Sequence, residues 1–155
     1  MNRFVFAVIL CATCASCDPI YGLVHSAPNI SRIPQDSCVV NAVEAIPGMT
    51  NVSSRIDVGD RPLTLHGVET AAQIHRFFYT YNGINGNFYL QVSYDGKGTY
   101  DHAFVTMGKA PPQAVIDRIH PALGQIESAL EMKCGVVNLT SAVKERCFGV
   151  RCSGI

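Results

Sequence analysis

The sequence predicts an α+β domain in which an N-terminal helix leads into an antiparallel four-stranded meander. C-terminal helices pack on one face, and two disulfides brace the whole. Three observations carry this expectation. Residues 74–81, 87–94 and 99–107 are rich in β-branched and aromatic side chains, with Asn82-Gly-Ile-Asn-Gly86 and Asp95-Gly-Lys-Gly98 as turn chemistry between them. A long apolar stripe at helical spacing follows Pro111-Pro112. Four cysteines, Cys38, Cys134, Cys147 and Cys152, remain once the N-terminal segment is set aside.

Element by element, residues 18–35 contain Pro19, Pro28 and Pro34 and hold no sustained period, which predicts a tether. Asp36 or Ser37 caps a helix over 38–45, where Val39, Val40 and Val43 form an apolar side and Pro47-Gly48 ends it. A first strand is expected over 49–58, where Val52, Ile56 and Val58 alternate with polar residues until Asp60-Arg-Pro62 breaks the pattern. In the meander, Phe88, Leu90, Val92 and Tyr94 share one face, and Tyr89, Gln91 and Ser93 share the other. The long helix carries Val115, Ile119, Ala122, Leu123, Ile126, Ala129, Leu130 and Cys134, is kinked or divided at Pro121, and stops at Gly135. A short last helix over 141–147 follows a Thr140 cap.

The N-terminus indicates where the domain works. Arg3 supplies a positive start, residues 4–12 are uninterruptedly apolar, and Ala15-Ser16 places small residues before Cys17. The apolar stretch is too short to span a bilayer of ~30 Å, so it reads as a secretory signal peptide. Ala15-Ser16-Cys17 resembles the lipobox of bacterial lipoproteins, which implies lipidation of Cys17 and a membrane anchor. Cys14 stands where that motif usually has an aliphatic residue, which leaves open cleavage after Ser16 or Ala15 without a lipid. A plainly secreted, inhibitor-like protein is that alternative, with Asn29, Asn51 and Asn138 as sequons. The organisation is then a signal peptide over 1–16, a lipidated N-terminus and tether over 17–35, and one domain over 36–155.

Removing the first 16 of 155 residues leaves 139, enough for one domain with a single core. The balance of 12 basic and 12 acidic residues, without a basic block, argues against nucleic-acid binding. If lipid consumes Cys17, the four remaining cysteines pair in one of three ways. Cys38–Cys134 with Cys147–Cys152 is favoured, because the first ties the start of an early helix to the end of a late one. The second closes a short Phe-Gly-Val-Arg loop.

Candidate chemistry is sparse. Asp101-His102 is the most suggestive acid–base pair, and a small periplasmic hydrolase using His102 is the alternative function it supports. Adjacent strand residues point to opposite faces, however, so the two do not share a site. His25 lies in the lead-in, while His66, His75 and His120 are dispersed without ligand spacing. No metal, cofactor or catalytic residue is therefore expected. Glu44, Glu127 and Glu131 read as solvated helix positions.

Residues 38–52, with Val43-Glu44 and Pro47-Gly48-Met49, are similar to the helix-to-strand passage of heavy-metal-associated domains. Only Cys38 stands where that family has two cysteines, so metal transfer is not implied. A helix followed by a meander also resembles cystatin-like folds, an analogy that assigns no function. The expected role is noncatalytic binding in the cell envelope. A protein partner is expected on the sheet face that the helices leave bare, where Tyr and Phe side chains collect.

Overall fold

The chain enters the sheet where a tether was expected. The computed structural model describes residues 19–65, 68–92 and 98–151, with only the backbone path over 60–72. The signal segment, Cys17, Tyr94, most of the Asp95–Gly98 turn and Cys152 lie outside the described residues, as does the side chain of His66. Strand β1 spans Ile20–Ile30. It pairs with β5 (Gly98–Met107) on one side and with β6 (Lys144–Phe148) on the other. Leu23, His25 and Ala27 alternate inward, a period of two that the neighbouring Pro and Asn residues obscure. Pro28 lies beyond the last β6 partner, Ser26 opposite Lys144. Asn29 takes a left-handed φ of 64° at a bulge between Pro28 and Ile30.

Helix α1, Asp36–Glu44, buries Val39, Ala42 and Val43. Gln35 occupies the cap position without a side-chain bond, so neither Asp36 nor Ser37 caps as expected. The Asp36 carboxylate instead meets His75 Nδ1 at 2.6 Å. Strand β2 runs over Met49–Leu65, longer than predicted. Asp60-Arg-Pro62 bends the ladder at a register shift between Val58 and Pro62 without ending it. Proline is tolerated there because β2 lies at the edge of the sheet.

Strand β3 (Val68–Tyr81) and β4 (Ile84–Val92) are joined by Asn82-Gly83 alone. Both turn residues have positive φ, 47° and 81°, the conformation a two-residue hairpin needs. Helix α2, Gln113–Cys134, continues through Pro121 as one helix rather than two. It ends at left-handed Gly135, whose N–H reaches the Glu131 carbonyl while the Val136 N–H reaches that of Leu130. The predicted final helix is replaced by a four-residue α3, Leu139–Ala142, and then by β6. In β6, Glu145 and Cys147 are half-buried between exposed Lys144, Arg146 and Phe148, a strand alternation.

The predicted four-stranded meander is thus corrected: among the described residues the fold is a six-stranded antiparallel sheet ordered β2-β3-β4-β5-β1-β6, with three helices. Inward residues Phe77, Phe88, Leu90, Tyr100 and Leu23 form one core with Ile119, Leu123, Ile126 and Leu130 of α2. Phe77 and Phe88 stack at 5.0 Å. The expectation of two disulfides is corrected to one among the described residues, Cys38–Cys134 with Cα atoms 5.9 Å apart. The other predicted bridge involves Cys152, which lies outside them.

Candidate functional site

A row of polar side chains crosses the apolar layer between sheet and α2. Register places Glu145 of β6, His25 of β1 and His102 of β5 side by side on the inward face. His120 and Glu127 approach from α2, seven residues apart and so on one side of the helix. Together they form a continuous chain of hydrogen bonds. His120 Nε2 lies 2.8 Å from Glu145 Oε2, and His25 Nε2 lies 2.8 Å from that same oxygen. On its other side, His25 Nδ1 meets Glu127 Oε1 at 2.6 Å. Tyr100 donates its hydroxyl proton to Glu127 Oε1 at 3.3 Å and lies 3.0 Å from His102 Nδ1. The Tyr79 hydroxyl closes the row, 2.6 Å from His102 Nε2.

Proton counting assigns the roles within this row. Tyr100 has one proton and gives it to Glu127, so it accepts from His102 Nδ1–H. His102 Nε2 must then accept from Tyr79. This is a neutral imidazole with both nitrogens satisfied. Burial, aided by the charge of His25, pushes the His102 pKa down to about 3. At His25 burial also opposes protonation, but the hydrogen bonds and charges of Glu127 and Glu145 outweigh it and raise its pKa. A doubly protonated ring is what two flanking carboxylates require. Burial, reinforced by Glu127, holds Tyr100 protonated well above the usual phenol range. No buried side-chain nitrogen or oxygen lacks a partner among the described residues.

Gly86 makes room for the end of this row. A Cβ there would overlap the Cζ and hydroxyl of Tyr79. Gly86→Ala is expected to displace that ring from His102 and lower stability by about 1–3 kcal/mol, as overpacking does. A urea midpoint identical to that of the parent would contradict the contact.

The sequence-predicted residues scatter around this row. His102 is fully buried between two tyrosines and beside Phe88, with no carboxylate on its ring. Asp101 lies half-buried on the opposite face, where burial raises its pKa and Arg146 opposes the rise. The two do not form an acid–base pair. Glu127, read as solvated, is 4 % exposed. Glu131 accepts from the backbone N–H and hydroxyl of Thr140, tying α2 to α3. His25, His120 and Glu145, expected to be unrelated, come together through the pairing of β1 with β6 and the docking of α2. Glu127 did leave a trace in the sequence, because it sits inside the apolar stripe between Leu123 and Leu130.

Comparison with protein families, curated proteins and solved structures finds no match to this chain. What the arrangement can do follows from its own chemistry. The Glu127–Tyr100–His102–Tyr79 end is sealed and satisfied, which is the character of a structural network. The His25–Glu145–His120 end is different. Side-chain exposure rises from 7 % at His25 through 14 % at Glu145 to 24 % at His120, so this end opens toward solvent.

Proposed function

We propose that this protein is an exported, lipid-anchored domain that binds a protein partner of the cell envelope through the uncovered face of its sheet. The observation carrying this reading is the composition of that face, which α1, α2 and α3 leave bare. Phe78 and Tyr89 are half-buried there, with the Arg55 guanidinium 5.5 Å from the Phe78 ring centre. Asp57 is held by Arg55 at 2.6 Å and by Arg76 at 3.1 Å, and these two arginines hold its carboxyl below the usual range. Toward β6 a hollow of about 520 Å³ is lined by Ser26, Pro28, Asp101, Lys144 and Arg146. Ile20, Val105, Met107 and Phe148 lie exposed at the end of the same face. Aromatic and arginine anchors beside apolar residues are the composition from which protein interfaces draw their affinity.

The anchor rests on the N-terminal segment. Cys17 precedes the start of β1 by three residues, so an acylated Cys17 would hold the sheet within ~10 Å of the lipid. Among the described residues no helix is long and apolar enough to cross a membrane. The lipid is tested by intact mass of the mature N-terminus, where an unmodified Cys17 would overturn it.

The face is tested by crosslinking in cells that make the protein. The double variant Phe78→Ala/Tyr89→Ala is expected to reduce the specific crosslinked partner at least ~10-fold, the loss of one modest anchor. Met132→Ala, exposed on the helical side, should leave it unchanged. Equal recovery from both variants would remove the sheet face from consideration.

A further inference from the structure

We propose that His25, His120 and Glu145 bind a single divalent transition-metal ion, with zinc the best fit to their chemistry. The site is separate from the uncovered sheet face and does not depend on a lipid. One donor atom from each, a ring nitrogen of His25 and of His120 and a Glu145 carboxylate oxygen, all lie within 4.8 Å of one another. Both ring nitrogens already converge on Glu145 Oε2 at 2.8 Å. The two rings meet edge to face, at 84° with centres 5.9 Å apart, so they crowd around a common point without stacking. A tetrahedral ion at ~2.0–2.1 Å from each donor sets donors ~3.3 Å apart, so each ring nitrogen would withdraw from Glu145 by about half an ångström.

A second, independent observation lies behind the ligands. His25 turns its other nitrogen to buried Glu127 at 2.6 Å, and Tyr100 donates to that same carboxylate oxygen. A carboxylate on the far nitrogen of a ligating histidine fixes ring and tautomer and raises ligand basicity. In most buried ion pairs one carboxylate suffices for one imidazolium. Here His25 is gripped at both nitrogens, and one of the two carboxylates is shared with a second histidine. On binding, His25 releases its Nε2 proton to solvent and gives that lone pair to the ion, while His120 ligates as a neutral ring through Nε2 with its proton on Nδ1. His25 keeps its Nδ1–H on Glu127.

Two imidazoles and a carboxylate, with no thiolate, suit zinc and its neighbours better than calcium or copper(I). The rising exposure toward His120 leaves the remaining coordination position for water. Two of the ligands sit on directly paired positions of β1 and β6, and the third comes from the middle of α2. The ion would therefore clamp the edge strand, the N-terminal strand and the long helix together.

The test uses the tag-free, disulfide-intact protein, stripped with chelator and titrated calorimetrically with zinc, with cobalt(II) absorption as a second readout. The expected result is one ion per chain, a zinc-dependent rise in melting temperature, and the visible bands of four-coordinate cobalt. His120→Ala, chosen because the residue is partly exposed, and Glu145→Gln should each weaken zinc binding at least ~100-fold. Glu127→Gln should keep the one-to-one stoichiometry but weaken binding ~10–100-fold, the usual loss when such a supporting carboxylate is changed. His75→Ala, outside the cluster, should bind as the parent does. No saturable zinc binding by the folded parent, or equal affinity in parent and His120→Ala, would overturn the assignment.

Discussion

Replacing Cys38 and Cys134 together with alanine is expected to lower the unfolding free energy by about 4–5 kcal/mol, the chain-entropy value for a loop near 100 residues. The bridge joins positions 96 residues apart and closes α1, α2 and strands β2 to β5 into one loop. It fastens the first turn of α1 to the last turn of α2, two helices whose apolar sides share the core. Alanine is preferred to serine because Cys134 is buried, and a hydroxyl there would add a desolvation cost of its own. Domains of this size are stable by roughly 5–15 kcal/mol, so the variant should approach the threshold of folding. Urea unfolding checks it: the parent's midpoint should lie well above that of the variant without reductant, and the two should converge when both are reduced. A difference below ~1 kcal/mol would mean that the unfolded chain is already compact, with little entropy left for the bridge to remove.

Acid should weaken the fold through His102. Its folded pKa lies near 3 and its unfolded value near 6.5. Between these values the unfolded chain takes up a proton that the folded protein refuses. The contribution is therefore complete above pH 6.5 and is lost as pH falls, by about 1.4 kcal/mol per unit and about 4 kcal/mol after three units. His25 acts in the opposite sense. Although burial alone would lower it, its pKa is raised by Glu127 and Glu145, so its contribution is complete below pH 6.5. That contribution is lost as pH rises through the folded value. The two effects separate in a comparison of the parent with His102→Gln, which cannot titrate. The parent should lose stability more steeply on acidification, and parallel curves would show that the folded protein protonates His102 without penalty.

What the sequence discloses about this fold is what neighbours in the chain decide. Asn82-Gly83 needs only its own backbone preferences to make a hairpin, and Phe88 to Val92 alternates within one strand. Gly135 stops α2 by itself, and the tie between Cys38 and Cys134 follows from where two helices begin and end. The strands β1 and β6 were missed for the converse reason. Pro28 and Asn29 carry a tether's composition, and their fit to the sheet depends on β5 and β6 far along the chain. Lys144 to Phe148 is too short and too polar to declare a period. The cluster shares this origin, since His25, His120 and Glu145 become neighbours only after β1 is placed between two strands. The expected passage from a helix through a tight turn into a strand over 38–52 is present as α1, Gly48 and β2.

The position of β1 also sets an order of events. Strands β2 to β5 close through successive hairpins, each joining residues close in sequence. The nearest ladder partner of Ile30 is Gly98, 68 residues ahead, and β6 comes later still. Loop closure over such distances is slow relative to hairpin formation. Until β1 arrives, β5 presents a bare edge of unpaired N–H and C=O groups to any other chain that offers a strand. Strand β1 thus joins the sheet after the hairpins that follow it in the chain, and only β6 is added after it. Its docking closes the edge of β5, and the short, charged β6 then takes over as the outer strand.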